Sequence, residues 1–103
     1  MIRVIVNYGP PTDRAAFDAH YKSIHTPLTA AMPYLASFEV SQTDVMEPDE
    51  ANSVYLTAIL SYRSQADLEA SMASPEGQAA VDDLANLATS GITILTVHMH
   101  EHL

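Results

Sequence analysis

The sequence predicts an α+β fold of the ferredoxin-like type, an antiparallel sheet with two helices on one face. Segments with alternating apolar residues and segments with helical periodicity follow one another in the order βαββαβ, which is the split βαβ arrangement. The chain has 103 residues, of which 48% are hydrophobic and 17% charged, as in globular proteins. A single domain over residues 1–103 is therefore expected.

The first strand and the first helix are separated by prolines. Ile2–Tyr8 alternates and is rich in β-branched residues, and the Gly9-Pro10-Pro11 segment ends it. Thr12 is the expected N-cap of a helix from about Asp13 to His25. Pro27 predicts the end of this helix, because proline disfavours helical geometry in the residue before it.

The remaining segments complete the pattern. Alternation predicts strands over 36–46, 54–62 and 92–100. Ser64 begins a second helical region with a pattern like a capping box, and Ser74 followed by proline is typical of another helix start. This region is therefore expected to break around Ala73–Ser74.

Both faces of the first, third and fourth strands carry apolar residues, although helices can cover only one of them. The other face would be a large exposed apolar surface. We therefore expect a homodimer in which two sheets pack face to face.

Composition excludes several classes of partner. Four basic and thirteen acidic residues give a formal net charge of −9, which repels nucleic acids and anionic membranes. No apolar run approaches the roughly 20 residues of a membrane span, and the N-terminus lacks a secretory signal pattern. Cysteine is absent, so disulfides and thiolate chemistry are excluded. A cytoplasmic location is expected.

A concentration of polar rings between residues 8 and 28 indicates a site. At 100° per residue the first helix carries an apolar stripe with imidazole and phenol groups on or beside it. We expect His25, Tyr21 and Tyr8 to be catalytic, because imidazoles and phenols suit proton transfer and stabilisation of oxygen charge. The predicted substrate-binding residues of the stripe are His20, Phe17, Ile24 and Leu28.

Three of these rings also have a purely structural interpretation. His25 could cap the helix C-terminus by donating to free carbonyl groups. Tyr21 could be a core residue with one satisfied hydroxyl, and His20 is more simply a hydrogen-bonded core group. Tyr8 is placed at the mouth of any pocket between sheet and helices.

The last strand carries His98, His100 and His102 at alternating positions, which invites a metal-binding interpretation. Ligands at this spacing spread over about 13 Å of extended chain, too far to share one ion. We predict no metal and no cofactor, since no nucleotide-binding motif is present either.

The chain resembles the EthD family of small proteins. The resemblance lies in F-D-A-H-Y at Phe17–Tyr21, H-T-P-L at His25–Leu28, S-P-E-G-Q-A-A at Ser74–Ala80 and D-L-A-N-L-A at Asp83–Ala88. It implies a dimeric α+β barrel, a superfamily that includes cofactor-free monooxygenases, polyketide cyclases, lactone isomerases and some haem enzymes.

The function expected from site and resemblance is cofactor-independent chemistry on a small apolar or aromatic carbonyl or phenol. Oxygenation, cyclisation, isomerisation and dehydration all remain open, in a degradation or polyketide-type pathway, so the enzyme class is an oxidoreductase, a lyase or an isomerase. The alternative is a non-catalytic protein that binds a small hydrophobic molecule or assists an oxidative degradation system.

Overall fold

Four antiparallel strands form one sheet. The computed structural model describes residues 1–43, 45, 53–88 and 91–103, and everything below refers to these residues. The strands are β1 (Ile2–Tyr8), β2 (Ser37–Val40), β3 (Leu56–Tyr62) and β4 (Ile92–His98), in the spatial order β2-β3-β1-β4. This confirms the ferredoxin-like prediction. The predicted second strand was too long at both ends, and its last residue, Met46, lies outside the described residues.

The helical segments lie between the strands in the predicted order. The first region comprises α1 (Arg14–His20), a π-helical turn (Tyr21–His25) and α2 (Thr26–Ala30). The second comprises α3 (Gln65–Ala73), α4 (Pro75–Asp83) and a 3-10 turn (Leu84–Asn86). Within the part of the chain that is described, no helix has the length and apolar character needed to cross a membrane.

Two serines begin the second pair of helices, as predicted. The Ser64 side chain accepts a hydrogen bond from the Asp67 backbone N–H at 3.1 Å, and Ser74 accepts one from the Gly77 N–H at 3.0 Å. Serine oxygens at these positions satisfy N–H groups that have no partner inside the helix. The predicted break at Ser74 is confirmed.

The first helical region differs from the prediction at both ends. Its N-cap is Asp13 rather than Thr12, and the Asp13 carboxylate accepts from the Ala16 N–H at 3.0 Å. The prediction that the helix ends near His25 is wrong, because helical structure continues to Ala30. Pro27 occupies the first turn of α2, where a missing N–H costs nothing, and the π turn before it supplies that new start.

The helices α3 and α4 approach one another closely at Gly77. A Cβ atom added there would lie 2.1 Å from the Ser71 carbonyl oxygen and 3.0 Å from Met72 Cα. Both obstacles are backbone atoms, so only glycine fits this contact.

The register of β1 with its neighbours assigns side chains to the two faces of the sheet. Val4, Val6 and Tyr8 are buried beneath the helices. On the helix-free face, Ile5 is paired with Ile59 of β3 and with Leu95 of β4. Leu95 is one of the large apolar residues exposed on that face.

Candidate functional site

An aromatic cluster joins β1 to the first helix. The Tyr8 ring packs edge-on against Phe17 and Tyr21, with centroid separations of 5.6 and 5.5 Å. Tyr21 also stacks on Phe17 at 5.9 Å and contacts the His25 ring at 5.2 Å. Rings at these separations hold one another in a fixed orientation. The imidazole of His25 is therefore positioned by packing along a row of aromatic residues.

The π turn decides which residues of this helix face inward. In an α-helix, residues spaced by four advance about 40° around the axis at each step. Phe17, Tyr21, His25 and Thr29 follow this spacing, and all four are buried. The wider turn, closed by a hydrogen bond from the Thr26 N–H to the Tyr21 carbonyl, adds one residue and offsets the drift.

The same turn places Ile24 outside the site. Its side chain is 47% exposed, although the stripe assumed from regular α-helical periodicity placed it inside. Ile24 does not line the cavity described below, because the π turn brings His25 to the inward position in its place, so its predicted role in substrate binding has no support from its position. Periodicity alone gave no reason to expect that exchange.

A buried carboxylate, Asp83 at the end of α4, binds both histidines of the first helix. His25 Nδ1 lies 2.9 Å from Asp83 Oδ2. His20 Nε2 lies 2.9 Å from Oδ1 and 3.0 Å from Oδ2, and Asn86 donates to Oδ1 at 3.0 Å. An ionised carboxylate can only accept hydrogen bonds, so His25 carries a proton on Nδ1. Its Nε2 therefore remains for a ligand.

The pKa values of this pair follow from burial and from the shared hydrogen bonds. Burial raises the pKa of the Asp83 carboxyl, but hydrogen bonds from Asn86, His20 and His25 outweigh it and the net shift is downward. Burial lowers the pKa of His25, and this effect exceeds the opposing influence of Asp83. Near neutral pH the pair therefore consists of a carboxylate and a neutral imidazole.

An apolar cavity of about 220 Å³ lies between the sheet and the helices. A cavity of roughly 150 Å³ accepts benzene, so this one admits a single ring with a short substituent. The polar groups His25, Tyr21 and Tyr8 lie among lining residues that are otherwise mostly aliphatic, aromatic or methionine. Val81 on α4 and Ile94 on β4 also line it and are 47% and 50% exposed, which places its opening between these two elements.

The hydroxyl of Tyr21 has no hydrogen-bond partner among the described residues, although it is buried. It is close enough to the Tyr8 hydroxyl for each phenol to affect the pKa of the other. No hydrogen bond of acceptable geometry joins the two groups, however. Burial raises the pKa of Tyr21 to about 12, and burial followed by the nearness of Tyr21 raises that of Tyr8 further. Both phenols are therefore neutral donors at any physiological pH.

The predicted site residues thus separate into two groups. His25, Tyr21 and Tyr8 all line the cavity. Phe17 and Leu28 pack in or against the core without lining the cavity, and His20 reaches Asp83 instead. The role assigned to Phe17, Leu28 and His20 as substrate contacts is therefore not supported by their positions.

Asp83 was missed by reasoning from sequence. It lies 58 residues from His25 along the chain, so no local spacing connects the two. A carboxylate in the last turn of a helix is disfavoured by the helix dipole, but Asp82 lies in the same turn and is exposed, so this effect does not single out Asp83.

The three histidines of the C-terminal segment are separate from this cluster. His98 ends β4, and His100 and His102 follow it on the surface. Among the described residues, no group of three histidine or carboxylate side chains is arranged to hold a metal ion.

Comparison with known proteins gives matches over most of the chain. The family model for the EthD domain matches residues 9–91. An uncharacterized 11.0 kDa protein from the thcB-thcC intergenic region of Rhodococcus erythropolis is 41% identical over 95 residues, covering 92% of this chain and 91% of the relative.

Solved structures share the same fold. An EthD family protein of Bacillus halodurans has a TM-score of 0.87 and 29% identity, covering 97% of this chain and 99% of that one. A dimeric ferredoxin-like protein of Thermobifida fusca has a TM-score of 0.71 at 15% identity, with 95% and 90% covered. The hydroxynitrile lyase of Passiflora edulis has a TM-score of 0.76 at 16% identity, with 99% and 95% covered. The last two likenesses concern the fold alone.

Proposed function

Since the chain belongs to the EthD family, and since its buried His25–Asp83 pair borders an apolar cavity, we propose that it is an acid–base catalyst acting on a small apolar carbonyl or phenol compound. The observation that carries this proposal is the hydrogen bond between His25 Nδ1 and Asp83. It fixes the tautomer in which Nε2 has a free lone pair, and a neutral imidazole with that lone pair is a general base near pH 7.

The proposed first step is removal of a proton from the carbon next to a carbonyl group. His25 Nε2 takes the proton, and Asp83 stabilises the imidazolium that forms. The developing enolate oxygen accepts a hydrogen bond from the Tyr21 hydroxyl, whose lack of a partner leaves it available. Tyr8 lies beside Tyr21 and is the second proposed donor.

The enolate is common to several outcomes, including cyclisation, isomerisation, loss of a leaving group and reaction with oxygen. We propose that the chain is a single domain and that it carries out this chemistry without a metal or cofactor.

Deuterium exchange tests the first step without knowledge of the natural substrate. We propose phenylacetone, a single-ring ketone, as the probe, with loss of its α-proton signals in D2O followed by NMR. The protein is expected to accelerate exchange, His25→Ala to abolish the acceleration, and Tyr21→Phe to reduce it by about 100-fold, the scale of one lost oxyanion donor. His98→Ala, which changes an exposed histidine away from Asp83, is the matched control.

The rival function is binding without catalysis. The mostly apolar lining of the cavity favours binding alone as much as it favours catalysis. Chemical-shift changes would then report phenylacetone binding while α-proton exchange stays at the buffer rate. That outcome would exclude the enzymatic proposal and support a carrier or accessory role.

We further propose that the chain is a homodimer. The helix-free face of the sheet places Ile5, Ile59 and Leu95 side by side, and such a surface requires cover. The Thermobifida fusca neighbour is described as dimeric. Light scattering after gel filtration should give twice the 11.2 kDa chain mass, and Leu95→Lys should give the monomer. Ile24→Lys, at an exposed apolar position on the first helix, should leave the dimer intact.

A further inference from the structure

One polar cluster extends from the cavity to the surface. Asp83 lies between His25, whose side chain is 6% exposed, and His20, whose side chain is 25% exposed. Its Oδ2 atom is 2.9 Å from His25 Nδ1 and 3.0 Å from His20 Nε2. A single carboxylate therefore serves two imidazoles, one that lines the cavity and one that reaches solvent.

The charge of this cluster is limited by its burial. With both imidazoles neutral the carboxylate has no balancing charge, and with both protonated the cluster has a net positive charge. Both conditions are costly away from water, so one additional proton on the pair of imidazoles is the favoured state. The side chain of His20 is 25% exposed and that of His25 is 6% exposed, so solvent stabilises a positive charge at His20 better than at His25.

We propose that His20 is a charge-compensating residue for His25: because the two imidazoles share Asp83, uptake of a proton by His25 from the cavity is balanced by release of a proton from His20 to solvent. The C–H bond of the ligand breaks and the N–H bond at His25 Nε2 forms. The N–H bond at His20 Nδ1 breaks and water accepts that proton. Asp83 stays ionised throughout, and the net charge of the cluster does not change.

This inference rests on the proposed function, because the group that His20 compensates is the proposed base. It makes His20 a positioning residue, since it acts on the reaction through Asp83. Proton release in the second half of the reaction follows the reverse path, in which His25 returns its proton to the product and His20 takes one from solvent.

No other described side chain takes this role. The titratable groups that face His25 come from three elements: Tyr8 from β1, His20 and Tyr21 from the first helical region, and Asp83 from α4. Both phenols are held neutral by burial, so the two histidines are the groups around the Asp83 carboxylate that gain and lose protons in this proposal.

The titration of both imidazoles, followed by two-dimensional ¹H–¹⁵N NMR of the ring nitrogens, tests the coupling. In the unaltered protein each ring should respond at two pH values, one for its own proton and one for that of its neighbour. Two independent single-step curves would overturn the proposal, and this measurement needs no variant.

A variant gives the sign of the effect. His20→Gln keeps a hydrogen-bond donor but removes the positive charge, so the midpoint of His25 should rise by about one pH unit or more. His98→Gln makes the same chemical change at an exposed site away from Asp83 and should leave that midpoint unchanged. A His25 midpoint that is the same in His20→Gln and in the unaltered protein would refute the proposal.

The two proposals fail in different ways. If phenylacetone exchange is not accelerated while the two rings titrate together, the enzymatic proposal falls and the charge coupling remains. If exchange is accelerated while the rings titrate independently, the catalytic role of His25 remains and His20 has no part in it.

Discussion

Removal of the Tyr21 hydroxyl should stabilise the free protein and weaken ligand binding. The hydroxyl is buried without a partner among the described residues, and such a group costs about 1–3 kcal/mol. Tyr21→Phe keeps the ring that packs against Tyr8, Phe17 and His25. We expect the free energy of unfolding to rise by about 1 kcal/mol, which raises Tm by roughly 4–8 °C in a domain of this size.

The matched control is Tyr62→Phe, which deletes the same atom from another buried tyrosine. The Tyr62 hydroxyl and Ser71 Oγ are hydrogen-bonded at 2.9 Å, and both residues are fully buried. This variant leaves Ser71 unsatisfied and should lose about 1–3 kcal/mol. One deleted oxygen thus has opposite effects at two positions.

Urea unfolding at a fixed protein concentration measures both variants, since a dimer makes the midpoint depend on concentration. Titration with phenylacetone should show affinity lower by about 2- to 10-fold in Tyr21→Phe, the value of one neutral hydrogen bond. If Tyr21→Phe destabilised the protein as Tyr62→Phe does, the hydroxyl would have a partner in solution. Its availability to a substrate oxygen would then be refuted.

Three further outcomes are expected. The pKa of His25 is lowered in the folded protein, so the unfolded chain binds that proton more readily and the free energy of unfolding should fall as pH decreases below about 6.5, by at most ~1.4 kcal/mol per pH unit. The lowered pKa of Asp83 adds a loss of the same sign below about pH 4. In urea unfolding, His25→Gln should flatten the dependence between about pH 6.5 and 4. Gly77→Ala forces a Cβ against the Ser71 carbonyl and should cost about 1–3 kcal/mol by the same measurement, whereas an alanine tolerated without loss would contradict the close approach of α3 and α4. Deletion of Ser23 converts the π turn to regular helix and should abolish ketone exchange with retained helical circular dichroism, while Ser23→Ala, at an exposed position, should keep exchange.

The first strand and the starts of the second pair of helices could be predicted because their signals are local. Alternation over Ile2–Tyr8 defines a strand by itself, and Ser64 and Ser74 have both the capping side chain and a partner N–H three residues ahead. Each of these features depends on a few neighbouring residues, and the rest of the fold adds only packing.

The interior of the first helix could not be predicted in the same way. A proline normally predicts a helix end, and nothing local shows that a π turn will let the chain continue past Pro27. This one turn explains why Ile24 was assigned to the site while the burial of His25 was only partly expected. The contact of His25 with Asp83, which lies 58 residues further along the chain, overrides the local preference.

The carboxylate of the site, Asp83, could be identified only from the three-dimensional fold. Asp83 meets His20 and His25 because α4 packs beside the first helical region, a contact between segments that lie far apart in the chain. Asp82 and Asp83 are indistinguishable by residue type, and only the three-dimensional arrangement selects the second.

The entrance of the cavity is apolar and exposed to solvent, because it is formed by the side chains of Val81 and Ile94. A ligand can enter between these two side chains once it is desolvated, and no pair of strands has to separate. Exchange of a weak ligand should thus be fast on the NMR timescale. Hydrophobic contaminants that remain after purification will compete with it for the cavity.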